Sequence, residues 1–184
     1  MEHKAVSSPL KTIWHNKIDS TNNEAKRYLS GGNELPVVIA ANTQTEGRGQ
    51  FDRSWISEKG GAYFSIVCEP PESMLRDISY FQQLIANKLI FCLHTLTKCE
   101  FQLEWPNDII LNHKKVGGIL VEASSQANSQ EPNHVIIGIG LNVNQQTFPD
   151  ELEFTATSLF KETNETYDLT TLIRQISKEI KDAM

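Results

Sequence analysis

Seven stretches of the chain are rich in Val, Ile and aromatic residues and are bounded by polar, Gly, Pro or Asn positions. They run from Thr12 to Ile18, Val37 to Ala41, Ala62 to Cys68, Phe101 to Trp105, Ile109 to Leu111, Lys115 to Ala123 and His134 to Asn142. This composition predicts strands that build one sheet. Asn112 and His113 separate two of them closely enough for a hairpin, and the polar stretch from Ser124 to Asn133 separates the next pair, so pairing should be largely antiparallel. Three segments follow a helical period instead. Thr21 with Glu24 three residues later has the capping-box pattern, which places a short helix directly after the first strand with Ser20 and Thr21 at its N-terminus. From Asp77 to Thr97, Phe81, Leu84, Ile85, Leu89, Cys92, Leu93 and Leu96 recur at spacings of three and four, marking a long amphipathic helix. Leu169, Leu172, Ile173, Ile176 and Ile180 repeat that spacing near the end. Strands and helices without strict βαβ alternation predict an α+β fold, a mixed and largely antiparallel sheet backed by helices, as one domain over residues 1–184.

Composition narrows the function classes. At 184 residues and 39% apolar content the chain can bury a sizeable core. Its net charge of −6 would repel a phosphate backbone, so DNA is an unfavourable partner. Cys68, Cys92 and Cys99 are odd in number and form no CxxC pair, the pattern of ordinary reduced thiols. The segment from Met1 to Lys11 has no apolar signal-peptide core, and no apolar run approaches a membrane span, which predicts a cytoplasmic protein with no membrane partner.

The stretch QTEGRGQFDRSW, Gln44 to Trp55, lies between two predicted strands. Gly47 and Gly49 allow backbone to approach a ligand closely, and Arg48 and Arg53 supply permanent, fork-shaped cations suited to carboxylate or phosphate. The same residues read equally well as a solvated hairpin loop, and a GRG tripeptide settles nothing. A second stretch, EWPNDIILNHKKVGGILVE from Glu104 to Glu122, leads from a Trp-Pro-Asn-Asp turn through a hairpin to a lysine and paired glycines. GRG with a following tryptophan, then WPND, then Lys115-x-x-Gly-Ile-Leu-Val-Glu, then Gly138-x-Gly140-x-Asn142 occur in an order that resembles the biotin protein ligases. Ser20-Thr21-Asn22 extends the resemblance, which covers the chain from about residue 13 to the final helix.

This resemblance implies a catalytic fold similar to class II aminoacyl-tRNA synthetases and lipoate ligases. It also implies a two-step reaction in which biotin is activated by ATP to biotinyl-AMP and passed to a lysine of a biotin carboxyl carrier protein. Ser20, Thr21, Asn22 and Gln44 are implied to hold the biotin ring, with Arg48, Gly49, Gln50, Lys115, Gly117 and Gly118 completing its site. Biotin presents both N–H donors and a carbonyl acceptor, and each would be costly if left unpaired. ATP is implied to lie against Arg48, Arg53, Trp55, Asn107, Lys115 and Asn142, with Trp55 near the adenine. Arg48 and Lys115 are the implied catalytic pair, because carboxylate and triphosphate repel and fixed cations with Mg2+ must offset that repulsion. No carboxylate cluster stands out, so the metal's ligands are unassigned, and a homodimer is implied only by the resemblance.

Each assignment has a plainer counterpart. Ser20 and Thr21 can simply cap a helix, Trp55 can anchor a loop, and Asn107-Asp108 can form an Asx turn after proline. Lys114 competes with Lys115, since adjacent strand residues face opposite ways; the spacing to Gly117-Gly118 selects Lys115. Three departures from the family pattern stand out. Glu104 replaces a common lysine, which should weaken nucleotide binding; Gln50-Phe51-Asp52 replaces a more basic, glycine-containing run; and the chain ends at Met184, where the family usually continues into a small β-barrel. Neither that barrel nor an N-terminal helix-turn-helix is expected. The residue 47–55 loop is expected to order over the intermediate. Two rival readings are a lipoate or octanoyl ligase of the same fold and a non-catalytic biotin- or nucleotide-binding module.

Overall fold

The computed structural model describes residues 10–124 and 133–184. Within them, seven strands form one sheet: β1 (Lys11–His15), β2 (Val37–Ala41), β3 (Ala62–Cys68), β4 (Phe101–Glu104), β5 (Asp108–Leu111), β6 (Lys114–Ser124) and β7 (His134–Leu141). Their order is β1-β2-β3-β7-β6-β5-β4; β1 and β2 run parallel and every other neighbouring pair antiparallel. The same residues form helices α1 (Thr21–Ser30), α2 (Glu72–Leu75), α3 (Ile78–Thr97), α4 (Leu159–Thr163) and α5 (Leu169–Lys181). This is the α+β architecture expected from the patterning. The predicted polar connection between the last two strands falls mostly outside the described residues, as does most of the N-terminal segment.

Helices cover the middle of the sheet on both faces, and β2 and β3 are buried along their whole length. Val38, Ala40, Phe64 and Ile66 point to one side, where Phe81, Ile85, Leu89 and Leu93 of α3 and Leu172, Ile173 and Ile176 of α5 close the main core. Burying each such side chain contributes roughly 1.5–3 kcal/mol. Val37, Ile39 and Val67 point to the other side, against Ala25 and Leu29 of α1. Burial also silences two of the three thiols: it pushes Cys68 up to about 12 and Cys92 up to about 11.

Three local features differ from expectation. The capping box does not form: Ser20 caps α1 without a side-chain hydrogen bond, and Glu24 pairs with Arg27 at 2.7 Å instead. β1 stops at His15, after which Ile18 makes only an isolated parallel bridge to Gln44. The short helices α2 and α4 carry no periodic signal because each spans about one turn. The hairpin turn holds: Asn112 and His113 both have positive φ, 49° and 64°, as a two-residue turn requires.

Candidate active site

Strand register on the α1 side of the sheet creates a dent. Ser65 of β3, Gly138 of β7 and Leu120 of β6 lie in one row across the strands, and Tyr63, Gly140 and Gly118 lie in the next. Where a core strand would carry bulk, this face carries glycines, and the missing side chains are filled by neighbours. A Cβ on Gly138 would come within 2.3 Å of Asn22 Oδ1, and one on Gly140 within 2.7 Å of the Trp55 indole. The glycines therefore let α1 and the Trp55 loop settle onto the sheet.

The start of α1 is buried and polar. Ser20, Thr21 and Asn22 are each at most 4% exposed. Thr21 N–H donates to Gln44 Oε1 at 2.7 Å, and Gln44 Nε2 donates to Ser57 Oγ at 2.7 Å. Gln44 thus joins the helix start to the loop that follows it. That loop is a tight hairpin: Trp55 N–H donates to Gly47 O at 2.8 Å, Gly49 N–H to Arg53 O at 2.7 Å, and a 3-10 turn at Gln50–Asp52 forms the tip. Gly47 is obligatory here, since a Cβ would sit 2.2 Å from Trp55 O.

A bulge delivers the lysine. The β5–β6 register shifts between Ile109 and Ile110, so Val116 packs in the main core and Gly117 turns the same way, its Cβ direction meeting Leu141. Lys115 and Gly118 are thereby brought onto the α1 side together, the lysine Cε 3.7 Å from where a Gly118 Cβ would be. Lys114 goes elsewhere, donating to Glu153 O. Lys115 Nζ lies 2.8 Å from Asp108 Oδ1 and 5.3 Å from the centre of the Trp55 ring. Asp108 Oδ1 is buried, and the Lys115 ammonium is the charge that faces it. Arg48 donates to Asn23 Oδ1 at 3.3 Å and lies 3.6 Å from Glu122. Burial pushes the Glu122 carboxyl up, but hydrogen bonds from Lys26 and Asn22 and the nearby Arg48 charge outweigh it and hold the group below the usual glutamate range.

Two cavities meet at this point. The first is lined by Ser20, Thr21, Asn22 and Gln44, by the cations Arg48, Arg53 and Lys115, and by Gly118, Gly138 and Gly140 of the sheet. The second is lined by Asn142, Gln145 and the irregular segment around Phe148, Pro149 and Leu152. Ser54, Trp55 and Lys115 border both. A long ligand with a polar ring and an anionic tail would fit the first; the second is mainly apolar, with Glu58 and Glu151 on its wall, and suits a flat ring whose charged group reaches Lys115.

The family model for the biotin/lipoate A/B protein ligase family matches residues 14–142. The chain belongs to this family. A relative from Bacillus subtilis, the bifunctional ligase/repressor BirA, is 35% identical over 167 residues, covering 89% of this chain and 50% of the relative. A biotin–[acetyl-CoA-carboxylase] ligase from Paracoccus denitrificans is 30% identical over 135 residues, covering 73% of this chain and 54% of its own length. The chain thus spans about half the length of these curated relatives. Among solved structures, the biotin protein ligase from Aquifex aeolicus in complex with biotin and ATP has a TM-score of 0.81 at 31% identity, over 94% of this chain and 69% of that one. The expected sheet-and-helix arrangement of the ligase catalytic fold is therefore present.

Within this family fold, most residues singled out from the sequence converge. Ser20, Thr21, Asn22, Gln44, Arg48, Gly49, Gln50, Arg53, Trp55, Asn107, Lys115 and Gly118 all line the first cavity, and Asn142 lines the second. Gly117 does not: the bulge turns it to the opposite face, where it makes room for Leu141. Glu104 lines neither cavity; it is exposed on the edge strand β4, in register with Asp108. Sequence reasoning missed Ser65, which reads as an ordinary strand position, and gave Glu122 no role although it closes the Lys-x-x-Gly-Ile-Leu-Val-Glu motif. It also missed the segment carrying Phe148 and Leu152, which has no periodicity to read.

Proposed function

We propose that this chain carries out ATP-dependent biotin ligation, activating biotin as biotinyl-AMP and transferring it to a lysine of a biotin carboxyl carrier protein. The observation that carries this reading is the pair of cavities joined at Trp55 and Lys115, one ending in buried polar groups and both reaching the same ammonium. The polar end favours biotin over lipoate. A lipoyl ring is an apolar disulfide that would leave the Thr21 Oγ1 lone pair and the second Gln44 amide proton unmatched, at about 1–3 kcal/mol for each buried group.

In the first step the biotin carboxylate attacks the α-phosphate and expels pyrophosphate. Two unit anions 4 Å apart repel by about 4 kcal/mol even at an effective dielectric of 20, and the repulsion grows as charge gathers on phosphorus. Arg48 and Lys115 approach from separate parts of the chain to offset it. They rest against Glu122 and Asp108, and they can exchange those partners for carboxylate and phosphate. Mg2+ fits the donor set as an ion carried with ATP, because such ions need only one or two carboxylates plus phosphate oxygens. Asp108, once Lys115 exchanges it for phosphate, would leave a buried carboxylate oxygen to hold it. Bound there, Mg2+ would neutralise phosphate charge. Trp55 holds the adenosine side of the site by ring contact, with Asn142 beyond it. In the second step the carrier amine attacks the acyl carbonyl and AMP leaves. The Gly47 to Trp55 hairpin closes over the intermediate and excludes water.

Pyrophosphate exchange into ATP, run with biotin, lipoate and octanoate in parallel, tests the reading. Exchange should depend on biotin alone. Exchange driven by lipoate or octanoate would assign the other branch of the family, and exchange with none would leave a binding module.

A further inference from the structure

Glu122, Asn22, Ser65 and Thr21 form a line of hydrogen bonds that ends at the polar end of the first cavity. Asn22 Nδ2 donates to Glu122 Oε2 at 2.7 Å. An ionised carboxylate only accepts, so it fixes which way the Asn22 amide lies, nitrogen toward Glu122 and oxygen toward Ser65. Ser65 Oγ stands 2.6 Å from Asn22 Oδ1 and 2.8 Å from Thr21 Oγ1. One hydroxyl has one proton, and Asn22 Oδ1 cannot donate. The Ser65 proton therefore goes to Asn22, and the Thr21 hydroxyl must donate to Ser65. Its proton is then used, and Thr21 Oγ1 can offer a ligand only a lone pair. Ser65 is fully buried and Thr21 and Asn22 are each 4% exposed, so bulk water cannot relax this order. Gln44 is fixed in the opposite sense. Its Oε1 accepts the Thr21 N–H and its Nε2 donates to Ser57, which leaves the second amide proton as a donor.

We propose that Glu122 is a positioning residue that sets the hydrogen-bond polarity of the ring pocket, making Thr21 Oγ1 an acceptor for a ureido N–H through Asn22 and Ser65. This rests on biotin being the ligand. The plainer role for Glu122 is an anchor for α1 and the arginine loop, through Lys26 at 2.8 Å and Arg48 at 3.6 Å. The two roles make different demands on chemistry. An anchor needs a negative charge at position 122. A polarity relay needs an acceptor facing Ser65, wherever the charge resides.

Calorimetric titration with biotin alone, without ATP, separates them. In Glu122→Gln the new amide can donate, the Asn22 amide can turn over, and Ser65 and Thr21 then reverse their protons; biotin should bind about 10- to 100-fold more weakly. Adding Asn22→Asp to that variant swaps the amide and the carboxylate between the two positions. The amide at position 122 then donates to the carboxylate at position 22, Ser65 again donates to position 22, and biotin affinity should return to within about fivefold of the wild type. A Ser65→Ala variant cuts the line in its middle without changing charge, and it should weaken biotin as Glu122→Gln does. Glu122→Gln binding biotin as tightly as the wild type would overturn the relay. So would a folded double variant no tighter than the single one, or an unchanged Ser65→Ala should Glu122→Gln fail to fold. A wild-type protein that does not bind biotin at all would overturn the ligand assignment itself, an outcome distinct from the others.

Discussion

The two faces of the central strands are built on opposite rules. Toward α3 and α5, β2, β3 and β7 present Val, Ile, Phe and Ala in alternation, fully buried and packed in one apolar cluster. Toward α1, Val37, Ile39, Val67 and Ile136 form a smaller apolar cluster, but beside it β3 and β7 present Ser65, Gly138 and Gly140, and the space left open is occupied by Asn22, Trp55 and the first cavity. One face lowers the free energy of the fold by burial. The other gives up side-chain volume so that polar groups can be held dry and in fixed orientation. A substitution should therefore change stability on the first face and ligand affinity or turnover at the glycine-lined part of the second.

Substitutions can break this division, and their effects should fall in order. Phe81→Ala, on the fully buried side of α3, should cost about 3–5 kcal/mol in denaturant unfolding while the folded fraction keeps its biotin affinity. A loss of affinity would tie the core face to the site. Lys115→Ala should reduce biotin-dependent pyrophosphate exchange by about 100-fold or more, with a loss of stability far smaller than that of Phe81→Ala as Asp108 loses its countercharge. Gly138→Ala, whose Cβ would fall 2.3 Å from Asn22 Oδ1, should weaken biotin about tenfold by lifting α1 from the sheet; Gly118→Ala, with its closest contact to Trp55 at 3.2 Å, should cost only a few-fold. Equal losses from the two glycines would show that contact distance is not the determinant.

The smallest effect is on pH dependence. The Glu122 carboxyl titrates below its unfolded value, so its contribution to stability is present above the ordinary glutamate range, near about 4.3, and is lost as pH falls through the lower folded value. Acid unfolding profiles of the wild type and Glu122→Gln should therefore converge at low pH. A gap that stays constant below pH about 4 would remove that contribution.

What could be read from sequence follows the same division. Val37 to Ala41, Ala62 to Cys68 and Ile78 to Thr97 announce themselves by period and composition, because burial on a regular element imposes a regular pattern. Arg48, Trp55, Lys115 and Asn142 are legible only through motif resemblance. Nothing periodic marks a residue whose partner lies elsewhere in the chain. The β6 bulge shows why: simple alternation pairs Lys115 with Gly117, and the structure pairs it with Gly118 instead. Thr21 and Glu24 show the reverse error, a local capping signal overridden because Gln44 and Arg27 offer better partners. Ser65 is silent because a serine in a strand carries no signal until Asn22 and Thr21 are placed beside it.

The proposed chemistry depends on two cations from distant segments, Arg48 and Lys115, meeting one ligand over a glycine floor. A crystal structure with biotin and a non-hydrolysable ATP analogue would show it. The ureido ring should lie at Thr21 and Gln44, the carboxylate between Arg48 and Lys115, and the nucleotide on the far side of Trp55. Biotin bound with either cation still held by Glu122 or Asp108, away from the carboxylate, would contradict this.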